Sequence, residues 1–406
     1  MKKRVYSSAP GFPNWLGITA LAVFSFSSCT KSHNSTSTGT QLPAEAIRGT
    51  VLNGGSVKGV FLTDSTYTMN GDLTVLPGDT ITFQPGSKVV VTGNHAFYVQ
   101  GIVQSLGTSA NPVVITTPTQ QPGDWGGFQC DSAKAVTFKW TKILWAGGLD
   151  STGNTRQTIA VSSPINVDVE DCWLVGGQDN GIGVYSAATV TILRNSIYGE
   201  GTSDGEGIDF HAGVTGTVAY NCIWGGAGSA IKVFTSGTVE YPQTNVTVYN
   251  NTCVDNGFRR GAGEPGRGIL VDAFSAGKYY NNLLVNNYWG LDITPLADYA
   301  HISYGNNYFY VTVDSLRQFL YPAGDVGRIQ STDIIDSVHL GANNPMFVDY
   351  TTPPVPGNRT IPSAFDFHLQ SGSPAIGKGN TTYDNDIGAY VTDTAGGKGN
   401  RHAPGY

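Results

Sequence analysis

Two short patterns of apolar and polar residues alternate along the middle of the chain. The first is a β-rich run ending in Asn or Asp, with an apolar residue two places on: Val-Glu-Asp171-Cys-Trp, Leu-Arg-Asn195-Ser-Ile, Ala-Tyr-Asn221-Cys-Ile, Tyr-Asn-Asn251-Thr-Cys, Tyr-Asn-Asn282-Leu-Leu and Gly-Asn-Asn307-Tyr-Phe. The second is a small residue followed by an aliphatic one, then an aliphatic or Phe two places later: Gly181-Ile182-Gly-Val, Gly207-Ile208-Asp-Phe, Ala230-Ile231-Lys-Val, Gly268-Ile269-Leu-Val and Gly290-Leu291-Asp-Ile. From each Asn or Asp to the next aliphatic is 11, 13, 10, 18 and 9 residues, and from each aliphatic to the following Asn is 13, 13, 20, 13 and 16. A full period is mostly 22 to 31 residues, with two short strands marked in each. A Leu-x-x-Leu-x-Leu ladder is missing, and propeller blades need longer periods and antiparallel hairpins. A parallel solenoid fits, in which each period is one coil and equivalent strands stack about 4.8 Å apart. Stacked Asn side chains at the turns would then satisfy buried amides above and below.

Composition agrees with an all-β chain of many turns. The 406 residues include 53 Gly, charge is only 13%, and Asn, Thr, Val and Tyr recur. A net charge of −7 argues against nucleic acid, because phosphate binding needs concentrated Lys and Arg.

The flanks of the repeat carry a family resemblance. Leu73 to Val91, Val99 to Ile115 and Gly123-Asp-Trp-Gly-Gly-Phe128 place Pro-Gly pairs and other turn residues between short apolar runs. Near the end stand Asn344-Pro-Met-Phe-Val, Phe367 to Gly377 and Asp386-Ile-Gly-Ala-Tyr390. These segments resemble the opening coils and closing strands of pectin-lyase-like right-handed parallel β-helix proteins. The resemblance implies about 11 coils over residues 48–350, closing strands and a tail over 351–406, and no particular reaction, since the fold hosts lyases, hydrolases, epimerases and non-enzymes.

The start reads as a targeting segment. Lys2, Lys3 and Arg4 precede an apolar stretch from Trp15 to Phe26, too short to span a bilayer, which ends in Ser27-Ser28-Cys29. This resembles a bacterial lipoprotein signal over residues 1–29, with Cys29 as the lipidated residue and 30–47 as a polar spacer. With Thr30 after the Cys, the resemblance implies the outer membrane and the cell surface. A monomer is expected. Cys172 and Cys222 fall one place after Asp171 and Asn221, two coils apart at about 10 Å, beyond the reach of a disulfide at about 7 Å.

Alternation puts the aliphatic residue inside and its successor outside. One outward column is then Gly183, Asp209, Lys232, Leu270, Asp292, and the next is Tyr185, His211, Phe234, Asp272, Thr294. The two longest half-periods carry loops Phe234 to Asn245 and Asp255 to Arg267, which wall a groove on this face. Tyr185, Phe234 and Tyr241 supply flat surfaces for sugar rings, and Arg259, Arg260 and Asp292 supply polar contacts. Polysaccharide is therefore the expected ligand, and three readings compete. In a lyase acting on a uronate-containing glycan, Lys232 (or His211) takes the proton beside a carboxylate that Arg267 neutralises. The order Lys then Arg on neighbouring coils resembles that of the β-helix lyases that cleave alginate and chondroitin. In a glycoside hydrolase, Asp209, Asp272 and Asp292 would supply paired carboxylates. In the third reading the strip is a contact surface of a carbohydrate-binding or adhesive solenoid, and Asp209 and Lys232 are a solvated pair worth under ~1 kcal/mol. Glu200, Asp204 and Glu206, separated by glycines, are candidate ligands for Ca²⁺.

Overall fold

The computed structural model describes residues 45–403 except 200, 202–203, 236–241, 262–263, 336–339 and 352–364. Cys29 and the targeting segment, Glu200 and Tyr241 lie outside the described residues. From Val51 to Tyr310 the chain winds as a parallel solenoid with three strands per coil. Sheet 1 begins at Val51–Leu52 and holds 11 strands; sheet 2, from Gly55–Ser56, and sheet 3, from Gly59–Phe61, hold ten each. Every neighbour pair within them is parallel.

Three strands per coil, rather than two, is a correction with a local cause. Each Asn-ended run is two strands meeting at a corner: Asn166–Glu170 of sheet 3 leads through Asp171 into Trp173–Gly177 of sheet 1. One residue in the left-handed region turns that corner: Asp171 (φ 54°), Arg194 (57°), Tyr220 (58°), Asn250 (52°), Asn281 (56°) and Asn306 (51°). None is glycine, so the usual sign of such a corner is missing. The strain is offset by the residue that follows. Asn195, Asn221, Asn251, Asn282 and Asn307 form a buried ladder, the first four amides each donating to the next side-chain carbonyl at 2.9–3.1 Å. Each of those carbonyls also accepts the backbone N–H of the coil before it.

The ladder moves one register. Cys172, not Asp171, stacks on Asn195, while Cys222 pairs with Ser196 and Thr252. The two cysteines therefore occupy neighbouring columns rather than one. All four described cysteines are buried and free.

Inside, Ile159, Ile182, Ile208, Ile231, Ile269 and Leu291 stack coil upon coil with no exposure. Aromatic pairs such as Phe61–Phe83 (4.3 Å) and Phe97–Phe128 (4.7 Å) fill the first coils. The last solenoid strand is Tyr308–Tyr310, well before residue 350. Beyond it the chain caps the stack: Gly290 and Leu291 donate to the carbonyls of Phe319 and Leu320, and Phe309 to that of Ile334.

The C-terminal segment treats the faces differently. Phe347–Asp349 and Asp366–Leu369 do pair, antiparallel, but Asp386 to Tyr390 is not a strand. Instead Phe367, Ala375, Ile387, Ala389 and Tyr390 pack on Trp173, Trp224, Leu283 and Tyr308 of sheet 1. His402 ends this strap, stacked 3.7 Å from Trp173 and hydrogen-bonded to Ser196 at 2.8 Å. The strap thus covers the outer face of sheet 1 over the coils from Trp173 to Tyr308. Sheet 3 points a Thr-rich column outward, including Thr191, Thr217 and Thr247. Lys139, Asp168 and Glu170 form an ion-pair cluster on the same sheet, while sheet 2 points Asp209, Lys232 and Asp292 outward.

Candidate functional site

The outward column expected on sheet 2 is present in register. Gly183 pairs with Asp209, Asp209 with Lys232, Lys232 with Leu270 and Leu270 with Asp292. The strands are short, Ile182–Val184, Ile208–Phe210 and Ile231–Val233, so each fixes one outward position between two buried apolar residues. A Cβ on Gly183 would lie 2.6 Å from the Tyr185 hydroxyl, whose ring folds back over it.

Around Asp209 the side chains form one connected group. The Asp209 Oδ2 accepts from Asn180 Nδ2 and faces His211 Nε2, both at 3.0 Å. Asn180 also donates to the Tyr185 hydroxyl at 2.8 Å and accepts the Glu206 N–H at 2.7 Å. The His211 ring lies between Tyr185 and Phe234, with both centroid distances 5.0 Å. Lys232 Nζ is 5.7 Å from the Phe234 ring centre and 3.8 Å from Glu206. The Asp209 side chain is 5% exposed and that of His211 29%, so the imidazole is what solvent meets. A carboxylate against Nε2 favours the tautomer with its proton there, leaving Nδ1 as the proton acceptor.

Burial, reinforced by the charge of Asp209, pushes the Glu206 carboxyl up to about 7. Burial, followed by the same Asp209 charge, raises the Tyr185 phenol well above its usual range. Glu206 meets the Arg260 guanidinium, which also holds Asp204 and Glu264, each at 3.2 Å. That guanidinium takes the position a cation would need between Asp204 and Glu206. Among the described residues no group of three or more His, Cys, Asp and Glu side chains is arranged to hold a metal ion.

Several expected partners stand elsewhere. Arg267 does not meet Lys232; its Nε donates to Asp292 at 2.8 Å and its guanidinium lies 4.7 Å from the Trp289 ring centre. Asp292 has no exposure, and burial first, against the pull of Arg267, pushes its carboxyl up to about 7. Lys232 and Arg267 therefore stand in separate clusters, Lys232 with Glu206 and Phe234, Arg267 with Asp292 and Trp289. Asp292 is sealed away from any glycan, and Asp272, one coil past Phe234, accepts from the Thr294 hydroxyl and the Ala273 N–H. By register Asp272 stands two coils beyond Asp209 and Asp292 three, so the three carboxylates are spread along the solenoid axis. Arg259 is structural: it donates to the carbonyls of Gly199, Gly201 and Gly225 and so ties the loop after Asp255 to earlier turns.

Asn180 and the true position of Glu206 were missed in the sequence. Both precede the small residue of the Gly-Ile pattern, in a third column of Asn180, Glu206, Ser229, Arg267 and Trp289. Reading two places before each aliphatic finds it, since the small residue lets the chain enter the strand with its predecessor outside.

Comparison with known proteins agrees with this architecture. A family model described as a right handed beta helix region matches residues 126–311, and one described as a pectate-lyase like beta helix domain matches residues 54–141. Comparisons with curated proteins and with solved structures returned no match.

Proposed function

We propose, from the premise that this chain is a right-handed parallel β-helix of the pectate-lyase-like type, that the outer face of sheet 2 binds polysaccharide and that His211 moves a proton on the bound chain. One observation carries the reading: the Asp209–His211 hydrogen bond, set between the rings of Tyr185 and Phe234. The rings offer flat apolar faces for sugars. The dyad offers an imidazole whose tautomer is held by a buried carboxylate, the usual equipment of a general acid or base. Lys232, one coil on, hydrogen-bonds hydroxyl oxygens in the same groove.

The test is turnover on a panel of neutral and uronate polysaccharides. New reducing ends report any cleavage, and ultraviolet absorbance reports the unsaturated ends of an elimination. The expected result is product from at least one polymer, reduced by about 100-fold or more in His211→Ala with glycan binding retained. Unchanged turnover in that variant would remove the dyad from the chemistry. Binding without product from any polymer would leave sheet 2 as a contact surface only.

A further inference from the structure

We infer that the glycan bound on sheet 2 is one without carboxylate groups, a deepening that rests on the reading just given. The charges around the dyad point that way. Beside the Asp209 carboxylate stand Glu206 and, through Arg260, Asp204 and Glu264, against the two cations Lys232 and Arg260. Both cations already have internal counter-ions: Arg260 holds three carboxyl groups and Lys232 faces Glu206. Arg259 is spent on backbone carbonyls. The parts of the flanking loops outside the described residues add no cation, since 236–241 and 262–263 contain neither Lys nor Arg.

A uronate chain would bring one negative charge per sugar onto this acidic strip, and like charges at these separations repel. Asp204 and Glu264, each 57% exposed, are the solvent-facing carboxylates of this strip. A second observation is independent of net charge. The Asp209 Oδ1 is buried and has no donor in the protein, although the residue is only 3% exposed. A group left in that state calls for a hydrogen-bond donor. A hydroxyl is a donor of that kind, whereas a carboxylate is another acceptor. Lys232 supplies a donor for hydroxyl oxygens, and His211 Nδ1 an acceptor for a hydroxyl proton. This chemistry also bears on the reaction, because elimination needs the acidified C–H beside a carboxylate, so cleavage here yields reducing ends without unsaturated ones.

Calorimetric titration of the full chain tests this, using neutral hexasaccharides (β-glucan, xylan and mannan series) and hexamers of galacturonate and mannuronate. The expected result is binding of a neutral hexamer with each uronate hexamer at least about tenfold weaker at low salt. The gap should narrow in high salt. An Asp204→Asn, Glu264→Gln double variant, changed only at exposed positions, should raise uronate affinity severalfold relative to neutral. Uronate binding as tight as neutral, or tighter, overturns the inference while leaving the glycan reading standing. Binding of neither class overturns the glycan reading and the inference with it.

Discussion

Asn251→Ala should destabilise the solenoid by about 3–5 kcal/mol, the largest effect expected of any single outward-invisible side chain. The reason is the number of buried groups it serves. Its Oδ1 accepts from the Asn221 N–H at 3.1 Å and the Asn221 amide at 2.9 Å. Its Nδ2 donates to Asn282 Oδ1 and to the carbonyls of Val218 and Tyr249, at 3.0–3.1 Å. Alanine leaves those partners buried without water or a substitute, and each unmade bond costs about 1–3 kcal/mol. Because the ladder is a chain of like dipoles, the loss spreads to the coils above and below. The check is the urea midpoint of wild type against Asn251→Ala. Thr247→Ala, on the outward column of sheet 3, serves as the control and should shift stability by only about 0.5 kcal/mol. Equal shifts in the two variants would mean that the ladder is incidental to stability.

The second large effect is on pH. Glu206, Asp255 and Asp292 each have a carboxyl pushed up to about 7, in every case chiefly by burial. In the unfolded chain these groups lose their protons near pH 4. Between about 4 and 7 the folded chain therefore holds more protons than the unfolded one, and stability falls as pH rises. The contribution is fully present below the unfolded value, is lost through about 7, and is flat above. Each group accounts for roughly 2–4 kcal/mol as an upper bound. Glu170, lowered despite burial by its bonds to Lys139, Asp168 and Arg194, acts in the opposite sense and erodes stability at lower pH. The melting temperature should accordingly peak in mildly acidic solution and drop toward pH 7.5. Asp255→Asn keeps an acceptor for the Tyr350 hydroxyl, 2.9 Å away, and should remove that residue's share of the slope. A melting temperature that climbs from pH 5 to 8 would show these carboxyls ionising freely.

The outward column of sheet 2 was legible because two rules act together. A Gly-Ile or Ala-Ile pair marks where the strand begins, and alternation then assigns every neighbour a face. Gly183, Asp209, Lys232, Leu270 and Asp292 followed from nothing else. The third strand was hidden because its corner is made by Asp171, Arg194 or Tyr220 rather than by glycine, so no break shows in the pattern. That same corner shifted Cys172 by one register. Partners of long side chains were legible only to the nearest coil. Arg267 was rightly placed beyond Lys232, but its guanidinium can swing either way along the axis and goes to Asp292 on the next strand. The strap over sheet 1 left no periodic trace, since His402 meets Ser196 across 206 residues through chain that does not repeat.

The central claim is that sheet 2 holds a sugar chain across the Asp209–His211 dyad. A crystal structure with the tightest-binding hexasaccharide of the titration panel tests it most directly. The account predicts sugar rings against Tyr185 and Phe234 and a ring hydroxyl within hydrogen-bonding distance of Asp209 or His211. A glycan seated on the Thr column of sheet 3 or on the strap over sheet 1, with sheet 2 bare, would contradict it.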